Sequence, residues 1–204
     1  MAWSLEHPPR AWQDDAISSW IQNKYRGIAK VVTGGGKTYF GLMCILELIE
    51  KEPETKVFIV VPTIALRDQW VLDIQEGLGV SSEEIYSHGM DKKLNTNHKI
   101  AVMVINSART HGKKFTSKGK WMLIVDECHR AASVENRKAM GGNWIATLGL
   151  SATPERQYDE WYEEHLVPNL GPVIADYGYV LAKKDGVIAD FELMNYKVPF
   201  TGPE

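Results

Sequence analysis

The chain has 204 residues, of which 44% are hydrophobic and 24% charged, and its formal net charge at pH 7 is −3. This length suits one well-buried α/β domain, and the mildly acidic balance argues against nucleic-acid binding through bulk positive charge. No apolar run approaches the roughly 20 residues of a membrane span, and the first residues lack a signal-peptide layout, so we expect no membrane partner. Cys44 and Cys128 are the only cysteines, which favours free thiols and a cytoplasmic location.

Helical and strand-like patterns alternate along the chain. Residues 10–24 have a helical apolar period, residues 28–32 form an apolar run, and residues 37–51 form a second helical pattern. One more helix is expected at 64–75, and buried parallel strands are expected at 56–61, 100–105, 121–125 and 144–150. We therefore predict an α/β fold in which helices sandwich a parallel β-sheet.

Three segments are less regular. Residues 111–120 are rich in Lys, Gly, Ser and Thr and predict a mobile loop. Basic residues outnumber acids between His88 and Lys120, which is compatible with a phosphate-binding face or with solvated loops. After Pro168 the pattern weakens into short turns, and residues 191–200 alternate like an edge strand or a linker.

A glycine-rich turn joins the first predicted strand to the second predicted helix. Its residues are Thr33, Gly34, Gly35, Gly36, Lys37 and Thr38. In this context backbone N–H groups cradle the phosphates of a nucleotide, Lys37 reaches the β- and γ-phosphates, and Thr38 ligates Mg²⁺. The P-loop pattern expects glycine where Val31 stands, but the three remaining glycines still permit the turn. The loop predicts a bound nucleoside triphosphate together with Mg²⁺; the resemblance described below implies that this nucleotide is ATP.

Two acids follow the strand at 121–125. In a P-loop NTPase, an acid at the end of a neighbouring strand holds the metal, so we assign Asp126 to Mg²⁺. Glu127 is placed to deprotonate the attacking water as a general base. The alternative is that both acids only stabilise the start of a helix.

These motifs together resemble the superfamily 2 helicases and translocases. Gly-Lys-Thr, Asp-Glu-Cys-His and Ser151-Ala-Thr153 are similar in order and strand-end position to motifs I, II and III of the first RecA-like domain of that family. The upstream Arg10 and Gln13 resemble the signature whose glutamine reads adenine. The segment with Pro62, Thr63 and Gln69 resembles motif Ia, and Ser107 lies in the next motif that contacts the nucleic acid.

The resemblance implies roles for these residues. His129, Ser151 and Thr153 would couple the ATP state to the grip on nucleic acid, while a helix-cap histidine and a simple turn are the alternatives. Pro62, Thr63, Gln69 and Ser107 would contact nucleic acid, although Thr63 is also suited to capping a helix. Trp70, Trp121 and Trp144 occupy core-facing positions, so we interpret them as packing residues.

The resemblance also implies a missing half. Residues 1–190 correspond to the first RecA-like domain, and residues 191–204 to an exit toward a second one, which carries motifs IV to VI and an arginine finger. The isolated domain should therefore bind ATP but hydrolyse it poorly. The Asp-Glu-Cys-His box and the tryptophan after Gln69 favour DNA translocases of the XPB, restriction and phage type. The alternatives are an RNA helicase domain and a nucleotide-dependent binding module or switch.

Overall fold

The computed structural model describes residues 3–5, 7–87, 98–154, 161–189 and 194. In that part of the chain, seven strands form one sheet in which all pairings are parallel, in the order β3-β4-β2-β5-β6-β1-β7. The strands are β1 Arg26–Val31, β2 Thr55–Val61, β3 Ile85–Ser87, β4 Ile100–Val104, β5 Lys120–Asp126, β6 Ala146–Ser151 and β7 Val173–Tyr177. The predicted α/β fold with a parallel sheet is confirmed.

Helices connect the strands and cover both faces of the sheet. They are α1 Ala11–Gln22, α2 Lys37–Lys51, α3 Ile64–Leu78, α4 Ile105–Phe115, α5 Val167–Leu170 and α6 Tyr179–Lys184. Two 3₁₀ turns, Cys128–Ala131 and Asn136–Met140, follow β5, and a π-helical turn, Tyr162–Leu166, leads into α5. None of the helices in the described ranges is long and apolar enough to cross a membrane.

The core consists of two layers, one on each face of the central strands. Alternate residues of β2 point to opposite layers, so that Val57, Ile59 and Val61 pack in one cluster and Phe58 and Val60 in the other. The first layer is closed by α1, α2 and α3, with Trp20, Phe40 and Trp70 fully enclosed. Each such side chain stabilises the fold by about 1.5–3 kcal/mol. Burial on both faces explains the continuous apolar runs of the central strands.

The structure corrects three expectations about local structure. Residues 111–115, expected in a mobile loop, continue α4, because Gly112 lets the helix approach the sheet: a Cβ there would lie 3.2 Å from Phe58 Cζ. The region after Pro168 contains β7 and α6 as well as turns. The short edge strand β3 was not predicted. Of the expected exit segment 191–204, all but Met194 lies outside the described residues.

The topology determines where the motifs meet. Because every strand runs in the same direction, all the carboxyl ends lie at one edge of the sheet. The predicted motifs follow β1, β2, β4, β5 and β6, so they share this edge. We call it the carboxyl edge, and the opposite one the amino edge.

Candidate active site at the carboxyl edge

The glycine-rich loop has the backbone of a phosphate cradle. Gly34 and Gly36 have φ angles of +78° and +97°, in the left-handed region that favours glycine. Gly35 has no room for a side chain, since a Cβ would lie 2.7 Å from Val31 Cγ1. Gly36 is the N-cap of α2, so the first N–H groups of a long helix face the loop. This arrangement suits a polyphosphate group.

Arg10 and Gln13 lie directly against this loop. The Arg10 backbone N–H donates to Gln13 Oε1 at 2.8 Å, and Gln13 Nε2 donates to the Gly36 carbonyl at 3.1 Å. Gln13 is almost fully buried. Its amide therefore links the start of α1 to the start of α2. The structure places Gln13 beside the predicted nucleotide site, where it orients the loop through Gly36.

Lys37 extends from α2 back across the loop. Its Nζ donates to the Val31 carbonyl at 3.2 Å and lies 3.9 Å from Glu127 Oε1. The side chain is only 11% exposed. Lys37 therefore brings a partly buried positive charge between the glycine loop and the acids that follow β5.

Asp126 and Glu127 are held in different ways. Asp126 is buried, and its Oδ2 accepts a 2.9 Å hydrogen bond from Trp70 Nε1 while its Oδ1 accepts one from the Glu127 backbone N–H. Burial raises the pKa of Asp126 above its ordinary value, and the Trp70 hydrogen bond partly opposes the shift. Glu127 is half-buried and has a φ of +47°, a strained conformation for a residue with a side chain.

A histidine connects these acids to the strand β6. His129 Nδ1 lies 2.9 Å from Ser151 Oγ and 3.4 Å from Glu127 Oε2. Ser151 is fully buried at the end of β6, and its Oγ accepts a hydrogen bond from the Thr153 backbone N–H at 3.1 Å. The structure thus brings together the residues predicted to couple nucleotide state to nucleic-acid grip. Cys128, between Glu127 and His129, is a buried thiol whose pKa burial raises.

The residues at this site fit ATP and Mg²⁺. The loop accommodates phosphates, Lys37 offers a compensating charge, and Thr38 and Asp126 supply the oxygen ligands that Mg²⁺ prefers. Mg²⁺ is commonly bound by one or two carboxylates together with the phosphates of its nucleotide, and Asp126 offers one such carboxylate. A cleft beside the loop is lined by Gly34, Gly36 and Thr38 and extends to Asp73 on α3.

The residues predicted to contact nucleic acid lie further along the same edge. Thr63 is exposed and caps α3, its Oγ1 accepting from the Leu66 N–H at 3.3 Å. Gln69 is exposed and donates to Asp73 one turn further on. Pro62 and Ser107 are half-buried just after β2 and β4. The capping role of Thr63 is therefore real, and it leaves the residue accessible.

The basic residues after α4 lie far from this site. Lys118 and Lys120 precede or begin β5, and so lie at the amino edge. Lys120 Nζ is 2.6 Å from Glu52 Oε2 there. These lysines therefore lie at the edge of the sheet opposite to Pro62 and Ser107.

The sequence predicted the burial of Trp70 but not its contact with the candidate active site. Trp70 is buried as expected, but it also hydrogen-bonds the predicted metal ligand across 56 positions of the chain. The usable signal was its place on the helix after β2, since β2 and β5 are neighbours in the sheet. Trp121 and Trp144 are packing residues whose indole N–H groups donate to nearby carbonyls.

A model of the family described as type III restriction enzyme, res subunit, matches residues 6–156, well over half of the chain. The chain belongs to this family. A curated relative in Haloarcula marismortui, named a putative DNA 3'-5' helicase Rad25, is 30% identical over 198 residues, covering 94% of this chain and 29% of the relative. The chain spans about a third of the length of the curated relatives it matches.

Solved structures show the same fold. The UvsW helicase from bacteriophage T4 matches with a TM-score of 0.67 and 21% identity, covering 84% of this chain and 62% of that one. The SWI2/SNF2 ATPase core of Sulfolobus solfataricus, solved in complex with dsDNA, matches with a TM-score of 0.63 and 15% identity, covering 79% and 36%. Together with the res-subunit family, they confirm the predicted resemblance to the first RecA-like domain of superfamily 2 helicases.

Proposed function

We propose that this chain is the ATP-binding first motor domain of a DNA-dependent ATPase, a helicase or translocase that uses Mg²⁺. The observation that carries the proposal is a continuous series of contacts at the carboxyl edge. It runs from Lys37 to Glu127 at 3.9 Å, from Glu127 to His129 at 3.4 Å, and from His129 to Ser151 at 2.9 Å. It links the phosphate loop to the end of β6, which lies at the same carboxyl edge as the predicted nucleic-acid contacts.

Each residue has a defined task in this proposal. Bound ATP with Mg²⁺ supplies the phosphoryl group whose transfer to water releases free energy. Gly34, Gly36 and the start of α2 hold the phosphates, while Lys37 neutralises their charge. Thr38 and Asp126 hold the metal. Glu127 orients a water molecule and accepts its proton, as its position beside Lys37 allows.

Coupling to nucleic acid follows from the position of His129. Its Nδ1 contacts both Glu127, the proposed base, and Ser151, the first residue of motif III. A change in the γ-phosphate contacts of Glu127 would therefore reach the end of β6. The proposal assigns His129, Ser151 and Thr153 to this relay.

The motor requires two partners, a second RecA-like domain and a nucleic acid. The sequence after Ser151 contains no Gln-x-x-Gly-Arg-x-x-Arg motif, so we assign the arginine finger to a second RecA-like domain, in the same chain or another. An arginine finger contributes about 10³–10⁵ in kcat, and without one turnover should be slow. DNA is favoured as the nucleic acid because a DNA helicase is named among the relatives and a neighbouring fold was solved with dsDNA.

The test is ATP turnover by the protein encoded by the complete gene, assayed with ssDNA, dsDNA and RNA separately. Stimulation by DNA is the expected result. Stimulation by RNA alone would replace the DNA assignment, and turnover indifferent to all three would remove the motor proposal. The isolated chain serves as the control for the second domain, since it should bind ATP with little turnover.

A further inference from the structure

A polar groove lies at the carboxyl edge, beside the nucleotide site. Its walls include Pro62 and Ile105, which follow β2 and β4, and His129, Arg130, Asn136 and Trp161, which come from the segments after β5 and β6. Among these described lining residues there is a guanidinium group and no carboxylate. Arg130 thus offers a cation to an anionic group in the groove, which begins at Pro62, one of the predicted nucleic-acid contacts.

Trp161 forms one side of the groove, and its indole packs against the ring of His165. Its indole is 39% exposed and stacks on the His165 ring, with centroids 6.4 Å apart and an angle of 23° between the planes. His165 is buried, and its Nδ1 lies 3.3 Å from Arg137 Nη1, an atom that can only donate. The imidazole is therefore anchored, and the indole that rests on it loses little freedom when a ligand stacks on it.

Hydrogen bonds through Asn136 connect the two segments that carry the basic residues near the groove. Asn136 Nδ2 donates to the Arg130 carbonyl at 2.9 Å, and Arg109 Nη1 donates to Asn136 Oδ1 at 3.4 Å. Asn136 thus connects the Arg130 loop to α4. Arg130 is exposed, so its guanidinium is accessible to a phosphate from solvent.

We propose that this groove binds one unpaired nucleotide of a single-stranded segment, with the base stacked on Trp161 and a neighbouring phosphate bound by Arg130. A partly exposed indole beside an accessible guanidinium is the chemistry that recognises unpaired nucleotides without reading their sequence. The inference rests on the proposed function and adds a base-binding position to it.

The experiment measures binding of the chain to fluorescein-labelled oligothymidylate and to an abasic strand of equal length. Trp161→Ala should weaken binding to oligothymidylate by roughly 5- to 100-fold and remove the preference over the abasic strand. Trp161→Phe should retain most of that preference. Arg130→Ala should reduce the slope of log affinity against log salt by about 0.7 for either strand, whereas Lys118→Ala at the amino edge should leave the slope unchanged.

A second readout tests contact directly. Irradiation of an iodouracil-substituted oligonucleotide bound to the wild type should give a crosslink at Trp161, identified by peptide mass spectrometry. Crosslinks that form elsewhere but never at this residue would contradict the proposal.

Binding by the wild type and by Trp161→Ala distinguishes failure of the groove from failure of the proposed function. If the wild type binds nucleic acid and Trp161→Ala binds both strands equally well, the groove is not a nucleotide site and the proposed function survives. If Trp161→Ala changes only ATP turnover in the protein from the complete gene, the groove holds a protein domain instead, and the proposal is overturned. If that wild-type protein binds no nucleic acid at low salt, the proposed function fails and this inference fails with it.

Discussion

Trp70 Nε1 donates a 2.9 Å hydrogen bond to Asp126 Oδ2, and both side chains are buried. The indole reaches from α3, after β2, to the carboxylate at the end of the adjacent strand β5. It also packs so closely on α2 that a Cβ on Gly41 would lie 2.7 Å from its Cη2 atom. Trp70 thus fixes the orientation of the proposed metal ligand while it fills the core.

Trp70→Phe should lower both stability and nucleotide affinity. Loss of a donor to a charged acceptor destabilises by about 1.5–3 kcal/mol, in addition to the lost ring volume. Trp20→Phe is the matched control, because Trp20 is equally buried but donates to the neutral Thr147 carbonyl. It should lose only about 0.5–1.5 kcal/mol for its hydrogen bond and leave affinity for Mg·ATP unchanged. Urea denaturation and calorimetric titration measure the two quantities; identical behaviour of the variants would exclude the positioning role.

The raised pKa of Asp126 predicts a pH dependence in metal-free buffer. The unfolded chain releases this proton near the ordinary value of 3.8, whereas burial makes the folded protein hold it to higher pH. Between those two values the native state binds more protons, so its unfolding free energy falls as pH rises. Relative to Asp126→Asn, the wild type should lose stability across that window and then level off. The unfolding free energies of the two proteins are measured in EDTA from acidic to neutral pH. Their difference should change only between the two pKa values of Asp126 and stay constant outside that window.

Lys37→Ala should reduce ATP affinity by about two orders of magnitude, the loss expected when a charge-assisted contact worth about 3 kcal/mol is removed. The fold should persist, since Lys37 bonds to the loop and Glu127 and contributes nothing to the apolar core. Lys30→Ala, a lysine on β1 that pairs with Asp176, is the control and should bind ATP normally. Fluorescent-nucleotide titration gives the comparison; retained affinity in Lys37→Ala would remove the P-loop assignment.

Ser151→Ala should uncouple ATP binding and turnover from DNA binding. It deletes the hydroxyl that contacts His129 Nδ1 and accepts from the Thr153 N–H, while leaving the P-loop intact. ATP should bind normally, and DNA should no longer change ATP affinity or turnover in the protein from the complete gene. Since such coupling is reciprocal, ATP should likewise cease to alter DNA affinity. If DNA changes the ATP affinity of Ser151→Ala by the same factor as in the wild type, Ser151 does not take part in the coupling.

The sequence predicted the elements with strong local signals and missed those defined by distant contacts. The glycine turn, the acids after β5 and the continuous apolar strands were all recognisable because their chemistry is contained in a few neighbouring residues. β3 is only three residues long, and Gly112 becomes compatible with α4 only through its approach to Phe58. The Trp70–Asp126 bond depends on β2 and β5 being adjacent, which no local pattern encodes.

The most direct test of the account is ATP turnover by the protein from the complete gene, with and without DNA, for the wild type and Glu127→Gln. The account predicts that DNA accelerates the wild type. Glu127→Gln should bind ATP with unchanged affinity and show no DNA-stimulated turnover, because its amide cannot accept the proton from water. DNA-stimulated turnover that persists in Glu127→Gln, or wild-type turnover that ignores nucleic acid, would contradict it.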